Sequence, residues 1–173
     1  MESILNRDLL ADNRCFGCGL HNAGGLHIEV VSDPQAEGAL RARFNPTSEM
    51  TGFPGLTHGG AIFTALDCLS TWVATLHGPN RGAAWVLRSA NVTYLKPAPA
   101  AETLVLSGRI KEQAGEWEPL LVQAEARRAD GMICVHGAFK VVPLSAEKFT
   151  EIAGIERMPE NWRAFLSSAS KGS

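Results

Sequence analysis

An acidic side chain standing alone in an apolar helix is the residue of this sequence best placed to do chemistry. Residues 58–76 read H-G-G-A-I-F-T-A-L-D-C-L-S-T-W-V-A-T-L, and Asp67 is the one carboxylate among them. An ionised Asp there forfeits several kcal/mol of hydration unless partners replace the water, so a chain that keeps one usually has a use for it. His58-Gly59-Gly60 opens the same helix. Two glycines in a first turn leave backbone N–H groups unshielded and unbonded, where the helix dipole favours negative charge. Such an end can hold an oxyanion. Gly60 and Asp67 are seven residues apart, on nearly one face but separated by roughly 10 Å along the axis. A carboxylate does not reach back that far. A site using both must take Asp67 from a second, antiparallel copy of the helix across a two-fold axis, so the spacing predicts a homodimer with two shared sites. The structural alternatives are an Asp67 that caps a backbone group or pairs with Arg88, a His58 ring that satisfies the preceding loop, and glycines that serve close packing at a dimer interface.

Cys15-x-x-Cys18-x-x-His21 also has ligand spacing, with His27 following. A structural zinc knuckle takes a second pair, and a thioredoxin-like redox role needs a βαβ setting. These thiols are therefore read as tucked into a loop that covers the site or the sheet edge, and no metal is expected. Cys68 and Cys134 fall in apolar patterns and read as core, as do Trp72, Trp85 and Trp117.

Composition narrows the function classes. The chain has 173 residues, 45% of them hydrophobic, which suits one domain with a real core. Sixteen Lys and Arg against eighteen Asp and Glu give a net charge of −2. With no basic stripe or interleaved aromatics, nucleic acid is not an expected partner. Glu2, Arg7 and Asp8 interrupt the start, unlike a signal peptide, and Asp67 argues against a membrane span. A cytoplasmic protein with free thiols is expected.

The elements that must position these residues follow from periodicity and punctuation. A short helical turn is expected over 4–10, an irregular loop over 12–25, and a hairpin from 26–31 and 38–44, where Leu40, Ala42 and Phe44 alternate with Ala39, Arg41 and Arg43. Residues 45–57, with two prolines and two glycines, read as a loop. The helix should stop near His77-Gly78-Pro79. Strands over 84–95, 103–112, 117–128 and 133–142 are read as a four-stranded antiparallel meander. Short helices over 144–156 and 160–166 should pack through Phe149, Trp162 and Phe165, with 167–173 frayed. The division is a 1–25 N-terminal segment, a main domain over 26–143, and C-terminal helices and tail over 144–173. The outline is an antiparallel sheet wrapped around one buried helix.

G-F-P-G-L-T-H-G-G-A-I-F-T-A-L-D over 52–67 and N-V-T-Y-L-K-P over 91–97 resemble the hotdog-fold acyl-CoA thioesterases, in particular the phenylacetate-pathway-like and human mitochondrial-like branch. C-F-G-C-G-L-H-N-A-G-G-L over 15–26 is similar to a lead-in carried by some members. The resemblance implies an α+β hotdog fold and an acyl-CoA thioesterase acting as a homodimer or homotetramer, with coenzyme A only as part of the substrate. It further implies that the Gly60 N–H polarises the thioester carbonyl while Asp67 of the facing subunit is nucleophile or general base. His58 would hold the loop or the thioester oxygen or sulfur. The chain departs from some members twice. Gly52 stands where they carry a water-orienting Asn, leaving Ser48, Glu49 or Thr51 to act, and Leu87 stands where they carry a Thr. By the period of two, Ser89 and Asn91 share the face of Leu87 and could supply the missing polar group. Arg81, Arg88 and Lys96 are candidate partners for the coenzyme A phosphates. Phe53-Pro54-Gly55 suggests a hotdog hydratase or dehydratase as an alternative, but the His such enzymes need is absent at Gly52. A non-catalytic acyl-CoA binder is the third reading.

Overall fold

The computed structural model describes residues 3–169. In chain order it contains α1 (Leu5–Asp8), β1 (Glu29–Ser32), β2 (Ala39–Phe44), a 3-10 turn (Ser48–Met50), α2 (Gly59–His77), β3 (Ala84–Tyr94), β4 (Leu104–Glu112), β5 (Leu120–Arg127), β6 (Ile133–Leu144), α3 (Ala146–Ala153) and α4 (Glu160–Ala169). The tail expected to fray therefore begins inside α4, and residues 170–173 of it lie outside the described residues.

The strands form one antiparallel sheet in the order β1-β2-β4-β5-β6-β3. The alternation read in β2 holds, with Leu40, Ala42 and Phe44 buried under α2. From the helix, Leu66, Leu69 and Val73 are fully buried against this face. Gly108 in β4 permits the close approach, since a Cβ there would stand 3.2 Å from Val73 Cγ2. α2 is long and apolar enough to cross a membrane by length and composition. In this fold that apolarity is accounted for by the sheet it packs on.

The expected four-stranded meander is corrected. Only β4, β5 and β6 follow one another; β3 lies beyond β6 at the far edge, and β2 takes the place beside β4. The reason lies in the connection after β3. Pro97 and Pro99 have no N–H to close a hairpin, and the segment pairs instead with the lead-in to α2. Thr57 N donates to Ala98 O and Ala100 N to Gly55 O, both at 2.9 Å, and Thr57 Oγ1 donates to Pro99 O at 3.0 Å. This crossing strap thus fixes the loop that delivers the chain to Gly59.

Trp117 is a second correction. It is 57% exposed, outside β5, rather than packed. The turn closed by Glu118 N on Gly115 O, followed by Pro119, delays the strand to Leu120. Trp72 and Trp85 are buried as expected, and Phe165 stacks on Trp72 with ring centroids 5.2 Å apart. The N-terminal segment is knitted into the same core. Asn6 of α1, fully buried, donates to Cys18 O and Ile28 O and accepts from Val30 N.

Candidate active site

Asp67 lies half-buried on the third turn of α2. Its Oδ1 is buried and finds no hydrogen-bond partner among the described residues. The hydroxyls on the neighbouring turns are turned to the helix backbone: Thr64 Oγ1 donates to Gly60 O at 3.0 Å, and Thr71 Oγ1 to Cys68 O at 2.9 Å. Neither the capping role nor the pairing with Arg88 is present for that oxygen; Arg88 is exposed on β3. Desolvation, and after it the negative charge of Cys15, push the Asp67 carboxyl up to about 6. A group so placed is unsolvated and near-neutral in pKa, both of which suit a base.

The start of α2 differs from the expectation in one respect. The Gly60 N–H is not unbonded: it donates to His58 Nδ1 at 2.9 Å. His58 is the N-cap, in extended conformation, and such a residue turns its side chain back onto the first orphan donors. An accepting Nδ1 carries no proton, which places the neutral ring's proton on Nε2. His58 is held in turn by its own N–H, which donates to Met50 O at 2.7 Å.

Tyr94 is the residue that sequence reasoning missed here. Its hydroxyl donates to Gly59 O at 3.0 Å, and a Cβ at Gly59 would stand 3.0 Å from its ring. Glycine at 59 thus leaves room for a tyrosine from the end of β3, whose ring a side chain there would push outward. The available signal was that Tyr94 is the single tyrosine of the chain, inside the N-V-T-Y-L-K-P motif.

An open hollow of about 400 Å³ adjoins this end, lined by Gly52, Phe53, Leu56, Thr57, His58 and Gly59. A Cβ at Gly52 would stand 3.3 Å from His58 Cα and Cδ2, so the His58 ring occupies the room a side chain at 52 would need. Ser48, Glu49 and Thr51 do not line the hollow. Glu49 is exposed, its carboxyl held below the usual range by the Thr47 hydroxyl first.

The polar residues of β3 are placed differently from the expectation. A bulge at Arg88 breaks the pairing between Leu87, opposite Val141, and Ser89, opposite Lys140. Val141 is buried and Lys140 exposed. Leu87 therefore faces α2 with Ala90, Val92 and Tyr94, while Ser89 and Asn91 take the outer face. The strict period of two fails because a bulge inserts one residue. Arg88 and Lys96 are exposed, and Arg81 is engaged with a neighbouring group. The structure thus brings His58, Gly59 and Gly60 together, sets Asp67 two turns along the same helix, and leaves Ser89, Asn91, Arg88 and Lys96 apart from them.

The cysteine loop packs against the flank of α2 rather than a sheet edge, and it meets Cys68: Cys15 Sγ lies 3.6 Å from Cys68 Sγ. Neither His21 nor His27 joins the thiols; the His27 ring contacts Asn22 O. Cys134 is buried in the core as expected.

A family model described as the thioesterase superfamily matches residues 54–134, the stretch from the α2 lead-in to β6. The match spans just under half of the chain and makes this stretch similar to that superfamily. Solved structures resemble the chain in fold. A Streptococcus mutans protein solved bound to acetyl-CoA superposes with a TM-score of 0.59 at 19% identity, covering 68% of this chain and 89% of its own. The Escherichia coli PaaI protein of the phenylacetic acid degradation operon gives 0.58 at 20%, covering 69% and 81%. The sheet curled around α2 is the hotdog fold. Among curated proteins, a methylthioribose-1-phosphate isomerase from Aquifex aeolicus is 36% identical over 102 residues, 57% of this chain and 21% of that protein. The chain thus spans about a fifth of the length of the curated relative it matches.

Proposed function

We propose that this protein is a homodimeric acyl-CoA thioesterase whose two sites each combine Asp67 of one subunit with the Gly60 end of its partner. The observation that carries the reading is the half-buried Asp67 carboxylate, with an oxygen that no neighbour among the described residues satisfies. The edge strand supports the dimer. β3 runs eleven residues with β6 on one side only, and Tyr94 and Leu95 near its end are about half exposed. An uncovered edge of that length invites another strand. A two-fold axis across it would run two α2 helices antiparallel and set each Asp67 toward the other's first turn.

In this reading the ionised Asp67 takes a proton from water as the water oxygen attacks the thioester carbonyl carbon. The developing oxyanion displaces the His58 ring as acceptor of the Gly60 N–H. Collapse of the tetrahedral species breaks the C–S bond and releases the coenzyme A thiolate, which regains the proton. Direct attack by Asp67, followed by hydrolysis of the resulting anhydride, balances equally. Single turnover in ¹⁸O-water bears on the two, because label in the Asp67 carboxylate arises only by the second route, through water attack on the Asp67 carbonyl of the anhydride. Arg88 and Lys96 are proposed to meet the coenzyme A phosphates, with Ser89 and Asn91 beside them on the outer face. The acetyl-CoA bound to the Streptococcus mutans protein supports the ligand class. The direct test is a panel of acyl-CoA thioesters assayed for free thiol. Turnover that disappears in Asp67→Asn, with the fold intact, is expected; unchanged rates in that variant, or acyl-CoA binding without thiol release, would overturn the reading.

A further inference from the structure

Two thiols of the N-terminal loop, Cys15 and Cys18, meet a third, Cys68, on the flank of α2. The Sγ atoms of Cys15, Cys18 and Cys68 all lie within 4.8 Å of one another, with 3.6 Å between Cys15 and Cys68. Two thiolates on one tetrahedral zinc, each about 2.3 Å from the metal, are roughly 3.8 Å apart. The spacing suits a shared cation.

The surroundings are built for sulfur as an acceptor. Asn13 Nδ2 and Trp72 Nε1 both donate to Cys18 Sγ, at 3.2 and 3.3 Å. Asn13 is itself fixed, its Oδ1 accepting from Cys15 N at 2.9 Å, and Asn6 clamps the Cys18 carbonyl. Two glycines make the approach possible. A Cβ at Gly17 would stand 2.3 Å from Cys68 Sγ, and one at Gly19 2.5 Å from the Cys15 backbone. N–H groups aimed at a sulfur favour its thiolate, and thiolates gathered this closely repel unless a cation neutralises them. Outer donors holding metal-bound ligands are a regular part of such sites.

We propose that Cys15, Cys18 and Cys68 bind one thiophilic divalent cation of the zinc class, with a solvent molecule as fourth ligand. The three cysteines border a mainly apolar cavity of about 180 Å³ that includes Trp85, Trp162 and Phe165 and would supply the room for that solvent molecule. The cation would pin the N-terminal loop to α2, one residue from Asp67. This assignment is independent of any catalytic activity.

The test uses the full chain, reduced, stripped with a chelator and titrated with Co²⁺. One equivalent per chain is expected, with a thiolate-to-cobalt charge-transfer band, the visible bands of a four-coordinate site, and displacement by Zn²⁺. Cys134→Ser should bind normally, while Cys15→Ser and Cys68→Ser should lose the stoichiometric signal. Trp72→Phe, which removes only the N–H donor, should weaken Zn²⁺ binding about 10- to 100-fold. Because serine at a packed cysteine also disturbs folding, wild-type protein supplies a second readout: Zn²⁺ should add one ion to its native mass and raise its melting temperature. No uptake by reduced wild-type protein, or uptake unaffected by Cys68→Ser, would overturn the proposal.

Discussion

At the scale of single residues, Asp67 is the feature from which the rest is argued, and its consequences differ for activity and for stability. Its carboxyl titrates at about 6 in the fold against 3.8 for the unperturbed group. A folded-state value raised in this way means that stability is fullest below the unfolded value, falls as pH rises from about 3.8 toward 6, and is flat above. Asp67→Asn should therefore stabilise the protein at pH 8 by about 1 to 2 kcal/mol, after allowance for partial solvent screening. Urea unfolding should show that gain shrink toward zero near pH 4, and a gain that persists there would mean the charge is not its source. For activity the sign reverses. kcat/KM of the wild type should fall about tenfold per pH unit below the Asp67 value, as the base is protonated. A flat profile from pH 5 to 8 would remove Asp67 as the base. These two residues, Asp67 and Gly60, were legible because each is out of keeping with its helix. Tyr94 and the Cys15–Cys68 contact were not, because each is a tertiary meeting across 35 and 53 positions that no local pattern records.

At the scale of elements, the first turn of α2 and the β3 bulge decide what the site looks like. Helix limits, the β2 alternation and the stop at Gly78-Pro79 could be read directly, since capping and period leave a local imprint. The ring of His58 on Gly60 N–H could not, because it depends on the backbone angle at which the strap through Pro97 and Pro99 delivers the chain. Removing that ring tests the cap. His58→Ala should lower stability by about 1 kcal/mol, and His58→Asn, which can cap, should restore most of it. Equal unfolding midpoints for all three proteins would show that the bond contributes nothing. The bulge at Arg88 is equally hidden, since one inserted residue reverses the facing of Ser89 and Asn91 without altering the apparent alternation.

For the whole molecule, strand order was the least legible feature. Four strands in succession read as a meander, whereas β3 lies at the outer edge; the choice is made by the crossing strap and by the space β2 fills beside β4. That edge is also where the proposed dimer would form. Ala90→Pro, which removes an edge N–H with little change in volume, should convert the dimer to a folded monomer without thioesterase activity. Light scattering coupled to size exclusion measures this, and an unchanged mass would move the interface elsewhere. The shared site itself is tested most directly by complementation between two inactive variants. Asp67→Asn removes the base, and Gly60→Pro removes the N–H at a helix position where proline is tolerated, its Cβ shifting the His58 ring, whose Cε1 and Nδ1 lie 3.0 Å from that place. In a mixed dimer, Asp67 of the Gly60→Pro subunit would face the intact Gly60 of the other. Exchanging subunits of the two variants should restore about a quarter of the wild-type rate, one good site in half of the dimers; mixed dimers verified by native mass that remain inactive would contradict a site built from both chains.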